Sequence, residues 1–176
     1  GHCLIQPMDF YRGYYESRIT GGIKPFIEAE ANYEDINCGG FTGYDLNRYS
    51  AWNAMLCGSA GFTYGVTGIW ANAFSTSGYT GWLGETTSFS YDPWYMGLDK
   101  PGSFEVSYMK DFFTAIGPWY NLIPHFDDSA AATFLRRGKS ALASTEDGSL
   151  IVAYFYNEKS KSTGTIRVLD PEKTYD

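Results

Sequence analysis

The feature that most constrains this chain is an alternation of two hydrophobic periods between its start and Pro124. Cys3–Gln6 reads as a short apolar strand. Asp9–Ile19 reads as a helix, with Asp9 able to cap it and Phe10, Tyr14 and Tyr15 at helical spacing. Thr20-Gly21-Gly22 stops it. Lys24–Glu30 (KPFIEAE) follows as a strand, and Asn32–Thr42, with Gly39-Gly40, as a loop. Asp45–Ser59 is expected to be a helix with the apolar stripe Leu46, Tyr49, Trp52, Ala54, Met55 and Leu56. Asp45 can cap this helix, and Gly58 or Gly61 ends it. Gly61–Gly68 (GFTYGVTG) reads as a strand, Ile69–Lys100 as a long aromatic-rich loop, and Pro101–Ile116 as a helix. Strands joined through helices pair in parallel by right-handed crossovers, so the segments near Leu4, Phe26 and Phe62 are expected to be parallel neighbours.

After Pro124 the pattern changes. Ser140–Ser144, Ser149–Tyr156 and Gly164–Leu169 read as strands, with Glu146-Asp147-Gly148 as a hairpin turn and Asn157–Thr163 as a polar loop. The expectation is an α/β unit over 1–125, then the start of an all-β unit over 126–176. A complete (β/α)8 barrel needs about 200 residues or more, and the chain has 176.

Charge narrows the partners. With 13 Lys+Arg against 20 Asp+Glu the formal net charge is −7, which argues against nucleic acid, because phosphate binding wants clustered cations. No apolar run approaches the roughly 18 residues of a membrane span, and no signal-peptide pattern opens the chain. Cys3, Cys38 and Cys57 lack metal-finger spacing, and His2 and His125 have no acidic partner at ligand spacing, so neither a metal nor a disulfide is expected. His125, in IPHF, marks the boundary between the two units. Neither a phosphate-binding glycine loop nor a GxSxG elbow is present, so no nucleotide cofactor and no Ser/His/Asp chemistry is expected.

The chemistry concentrates in Pro25–Asp35, PFIEAEANYED. Strand alternation puts Phe26, Glu28 and Glu30 on one face, with the two carboxylates about 6–7 Å apart. They lie toward the strand's C-terminal end, where β/α barrels carry their active sites. Glycoside hydrolysis uses two carboxylates flanking the scissile bond. The plainer reading is a solvated strand end whose glutamates pair with nearby cations. Asn32, Tyr33, Tyr64 and Arg48 are candidate donors to an ionised Glu30, although Arg48 fits a helix-surface ion pair at least as well. Trp70 is a candidate platform for a sugar face, with weaker cases for Trp82 and Trp94.

Three segments carry a resemblance to the apiosidase-like glycoside hydrolases. KPFIEAEANYED resembles that family's "KPvlngEpxYE". Arg48–Trp70 (RYSAWNAMLCGSAGFTYGVTGIW) is similar to its "R…y.al..GaaGhtYG…iW". Leu98–Trp119 (LDKPGSFEVSYMKDFFTAIGPW) is similar to its "l..PGs.qm.ylk.ff…W" helix. The tail Ala141–Tyr175 resembles the opening strands of the small collagen-binding-type β-sandwich that often follows the family's (β/α)8 barrel.

The resemblance implies the C-terminal part of such a barrel, beginning near strand six, followed by the first strands of the sandwich. It implies Glu30 as the nucleophile of a retaining glycosidase acting on a polysaccharide. Tyr33 and Glu34 match the family's YE, while Glu28 stands where the family commonly has Asn, Asp or another polar residue; together with Tyr64 and Trp70 these are the expected substrate-binding residues. Ala31 stands where the family usually has Pro, and Phe62 where it often has His. A retaining mechanism needs a second carboxyl about 5–5.5 Å from the nucleophile. That residue is expected on an earlier strand, so the missing barrel half or a partner chain is expected to supply it. The competing reading is a non-catalytic carbohydrate-binding or structural module.

Overall fold

The computed structural model describes residues 8–21, 24–31, 33–34, 44–70, 79–80, 86–87, 92–126, 128, 130–133, 140–155 and 164–175. The expected strand Cys3–Gln6, most of the loop Asn32–Thr42, the side chains of Phe10, Asp45 and Leu46, and Cys38, Trp82 and Asn157–Thr163 lie outside them. The chain divides into two compact units. One comprises Gly1–Ile5, Ala29–Ala51 and Thr63–Phe112; the other comprises Gln6–Glu28, Trp52–Phe62 and Phe113–Asp176.

Helix α1 spans Met8–Thr20 and α2 spans Tyr44–Leu56. The expected stripe of α2 is present: Tyr49, Ala54 and Leu56 are buried. So are its polar residues Asn47, Ser50 and Asn53, which makes it a helix enclosed on several sides. Its C-terminus is a Schellman motif. Ser59 N–H donates to the Ala54 carbonyl at 3.0 Å and Gly58 N–H to that of Met55 at 3.1 Å. Gly58 has φ +89°, so of the two stop residues considered, Gly58 is the one used. In α1 the buried aromatic is Tyr11, 1% exposed, whereas Tyr14 is 49% exposed and stacks on Phe26. Of the other expected positions, Tyr15 is half-buried with its ring against Phe126, and the Phe10 side chain lies outside the described residues.

The expected parallel order is present for the two segments that are described. Glu28 forms a parallel bridge with Phe62, and Glu34 one with Val66. They are isolated bridges, not a continuous ladder. The bridged residues are six apart in the first segment and four apart in the second, so the first carries two extra residues over that interval. Glu30 and Tyr33 lie in that longer arm. The second segment also ends sooner than expected, because Thr67–Trp70 turns into a short helix, α3. Thr67 explains the change: its N–H and hydroxyl both reach the Glu34 carbonyl, at 3.3 and 3.1 Å, closing the pairing at that point.

Within the expected long loop the structure has a short antiparallel pair, β1 (Tyr79–Thr80) and β2 (Thr86–Thr87), and a 3-10 helix at Trp94–Asp99. The 3-10 helix packs on α3 through Gly97, where an added Cβ would lie 3.0 Å from Ile69 and 3.1 Å from Val66. Helix α4, Pro101–Ala115, has Pro at its first position, where the absent N–H costs nothing, and Gly117 at φ +86° past its end.

In the second unit β3 (Ile123–Pro124), β4 (Ser140–Ser144) and β5 (Ile151–Phe155) form an antiparallel sheet in the order β3-β4-β5. Sequence reasoning found β4 and β5 but not β3, which is too short to show a period. The expected strand Gly164–Leu169 is reduced to one antiparallel bridge, Ala132 with Ile166. Leu142 packs with Ala131 and Ala132, under Ile151, Ala153, Ile166 and Val168. Trp52 of α2 stacks on Tyr154 of β5, with ring centroids 5.4 Å apart and 3° between planes. No helix among the described residues is long and apolar enough to cross a membrane.

Candidate active site

Two dipeptides on the paired segments, Tyr33-Glu34 and Tyr64-Gly65, interlock. Glu34 N–H donates to the Gly65 carbonyl at 2.9 Å. In the opposite sense, the Tyr64 hydroxyl donates to Glu34 Oε2 at 2.7 Å. The same oxygen accepts the N–H of Gly102, in the first turn of α4, at 2.9 Å. Glu34 is 3% exposed. A buried carboxylate is tolerated where charge-assisted donors surround it, and a helix N-terminus is a favourable place for it. Gly102 must lack a side chain, since a Cβ there would lie 2.3 Å from Glu34 Oε2. One carboxylate thus ties together three segments that are far apart in sequence.

Glu30 has a different setting. Its side chain is exposed, and its Oε1 accepts the Tyr33 hydroxyl at 2.8 Å. Tyr33 in turn stacks on Trp70, with ring centroids 6.1 Å apart and 26° between planes. Trp70 is 57% exposed. Burial, then the hydrogen bond to Glu30 and that carboxylate's charge, push the Tyr33 phenol from its ordinary 10.0 up to about 12. Tyr33 therefore remains a neutral donor at any physiological pH. An exposed carboxylate, a neutral donor fixed on it and an open aromatic face form one contiguous group. Such a group can hold a polyhydroxylated ring beside an anionic nucleophile.

The remaining candidates are distributed as follows. Glu28 is buried and belongs to the second unit, where its N–H donates to the Gly61 carbonyl at 3.1 Å. Ile27 beside it is 60% exposed, so this segment turns its carboxylate inward and its apolar side chain outward. Arg48 pairs with Glu105 of α4 at 3.1 Å, the helix-surface ion pair considered for it. Trp94 is 39% exposed, with its ring edge-to-face on Tyr95. His125 Nε2 lies 2.8 Å from Ser144 Oγ, and burial lowers its pKa. His2 and Asn32 are outside the described residues. A separate open groove of about 430 Å3 in the second unit is lined by residues that include Ile123, His125, Asp147 and Arg167, and of the described sequence candidates His125 alone lines it.

The glycines of GFTYGVTG were expected to mark a close backbone approach, and Gly65 is one; Thr67 and Gly102 were not expected as parts of this arrangement. The available signal for Gly102 was the glycine of KPGS, since a glycine inside a strand or a helix start marks a close approach.

The apiosidase-like catalytic domain matches residues 6–121. The chain belongs to the apiosidase-like family. The match contains both interlocked dipeptides, Glu30, Trp70 and all of α4. The apiosidase-like chain is also similar to a solved glycoside hydrolase family 5 structure from Bacteroides vulgatus ATCC 8482, with TM-score 0.61 and 23% identity over 78% of this chain and 30% of that one. A second solved structure, a glycoside hydrolase, matches with TM-score 0.59 and 26% identity over 78% of this chain and 31% of that one. No curated protein sequence matches. The fold is therefore α/β, part of a glycoside-hydrolase (β/α)8 barrel, followed by a small three-stranded sheet. The chain spans about a third of the length of these two structures.

Proposed function

We propose that this chain is part of a retaining glycoside hydrolase acting on a polysaccharide, with Glu30 as the nucleophile. The observation that carries the reading is the exposed Glu30 carboxylate held by the neutral Tyr33 hydroxyl at 2.8 Å in a chain of the apiosidase-like family. In the reaction the carboxylate attacks the anomeric carbon as the leaving group is protonated, and water then hydrolyses the glycosyl ester. Trp70 offers its exposed face to a sugar ring. Tyr33 binds at the same place. Glu34 and Tyr64, each satisfied by the other, support the site from within, and Glu28 is a supporting carboxylate and not the acid. The proton donor comes from the part of the barrel that precedes these residues. Strands β4 and β5 open a β-sandwich domain that begins near residue 126; limited proteolysis of the parent that never cuts near that point would count against this boundary.

The deciding experiment is turnover of an aryl glycoside by the full-length parent and two variants, with thermal melts to exclude unfolding. Glu30→Gln is expected to lower kcat by several orders of magnitude, because the amide keeps shape and reach but cannot form the ester. Glu28→Gln is expected to lose far less. Near wild-type turnover in Glu30→Gln, or a deader Glu28→Gln, would remove Glu30 from this role. Glycan binding without hydrolysis by the wild-type parent would favour the non-catalytic reading.

A further inference from the structure

Gly65 is not at a position that demands glycine for its backbone angles. Its requirement is space. A Cβ at residue 65 would lie 1.9 Å from Cδ1 and 2.0 Å from Cε1 of Tyr33, far inside the ordinary contact distance of about 3.5–4.0 Å between carbons. The Tyr33 ring thus lies flush on the backbone of the neighbouring segment. Tyr33 cannot retreat as a whole, because the next residue is anchored four ways. Glu34 donates its N–H to the Gly65 carbonyl, accepts Thr67 on its own carbonyl, and receives Tyr64 and Gly102 on its side chain. Anything that fills the seat must therefore rotate the ring about its own side-chain torsions. That rotation would carry the hydroxyl off Glu30 and the ring off Trp70.

We propose that Gly65 and Tyr33 act together as a positioning lock for Glu30. The missing side chain at 65 seats the Tyr33 ring, and the seated ring aims the hydroxyl that holds the carboxylate. The proposal rests on Glu30 being the nucleophile. Tyr33 is a positioning residue in it, acting through Glu30, and Gly65 acts through Tyr33. The two dipeptides then have separate tasks. Glu34 with Tyr64 joins the segments to α4, and Tyr33 with Gly65 uses that fixed frame to place the reacting group. A carboxylate held in one orientation spends less of the barrier on alignment than one that must be oriented in each cycle.

The test is a double-mutant cycle in the full-length parent, read as kcat and KM on an aryl glycoside. Tyr33→Phe keeps the seated ring and its stack on Trp70 but loses the hydroxyl. Its kcat should fall on the order of tenfold or more with KM nearly unchanged. Gly65→Ala should lower kcat at least as much and also raise KM, since the displaced ring no longer supports Trp70. In a Tyr33→Ala background, where nothing occupies the seat, Gly65→Ala should have no further effect on either constant. Should Gly65→Ala alone fail to fold, that background removes the clash and still decides the seat, and Tyr33→Phe independently decides the hydroxyl. An unchanged kcat in Tyr33→Phe overturns the proposal. So does a Gly65→Ala effect that persists undiminished in Tyr33→Ala. Glu30→Gln separates the two levels: if it is inactive while Tyr33→Phe is normal, the lock alone is wrong, and if it is active, the nucleophile assignment is wrong.

Discussion

Tyr33 and Glu30 illustrate how little chemistry is decided by residue type alone. Both are ordinary polar side chains three positions apart, and burial first, then the 2.8 Å hydrogen bond between them and the Glu30 charge, push the phenol's ionisation up to about 12. The sign for stability follows. The folded state keeps the proton that the unfolded chain loses near pH 10, so this stabilisation is complete below that pH and disappears as pH rises through about 12. Replacing Glu30 by Gln removes the charge and the anionic acceptor but not the burial. The Tyr33 ring-carbon NMR resonance, assigned by its loss in Tyr33→Phe, is then expected to titrate at lower pH in Glu30→Gln than in wild type. Identical titrations would show that the carboxylate contributes nothing to this tyrosine.

At the scale of elements, the chain relies on glycines at helix boundaries for two distinct reasons. Gly102 is small because Glu34 reaches into the first turn of α4. Gly58 is needed for its backbone, at φ +89°, and also for space, since a Cβ there would lie 2.5 Å from the Tyr15 ring. Gly58→Ala therefore combines a left-handed penalty of about 1–2 kcal/mol with displacement of Tyr15, whose ring meets Phe126 edge-on. A melt of Gly58→Ala is expected to fall by several degrees, whereas Gly61→Ala, where the new methyl would meet only Ile27 at 3.7 Å, should change it little. Equal losses at the two positions would contradict this reading of the α2 terminus. Of these two, Gly58 was legible in advance, as a helix stop. The role of Gly102 needed the partner that lies 68 residues away in sequence.

For the whole molecule, the governing fact is that the chain covers 30% and 31% of the two glycoside hydrolase structures it resembles. A reaction that needs two carboxylates about 5–5.5 Å apart requires a partner for Glu30. In our reading that partner lies in the remainder of the barrel. The 176-residue chain by itself is expected to show no aryl-glycoside turnover, while the parent shows it and loses it in Glu30→Gln. Turnover by the isolated chain that is abolished by Glu28→Gln would instead place both carboxylates within these residues.

The sequence alone determined the main helices and the two longer strands, because helices and strands bury their apolar side chains with different periods. α2, α4, β4 and β5 could be read to within a few residues, and so could the parallel relation of the segments at Glu28 and Phe62. The sequence likewise pointed to Glu30 with Glu28, Tyr33, Glu34, Tyr64 and Trp70 as candidate site residues. What the tertiary structure decided was the division of labour among them. Glu34 is buried and bound to Tyr64 and Gly102, and Glu30 is exposed and bound to Tyr33. Strand alternation would have placed Glu28 and Glu30 alike, yet one is buried and the other exposed, and the first segment carries two more residues between bridges than its partner does. Local periodicity cannot encode such an offset, nor the bare backbone at Gly65 on which the Tyr33 ring rests. Both depend on the atoms of a second segment about thirty residues further along the chain, and those contacts exist only once the chain has folded.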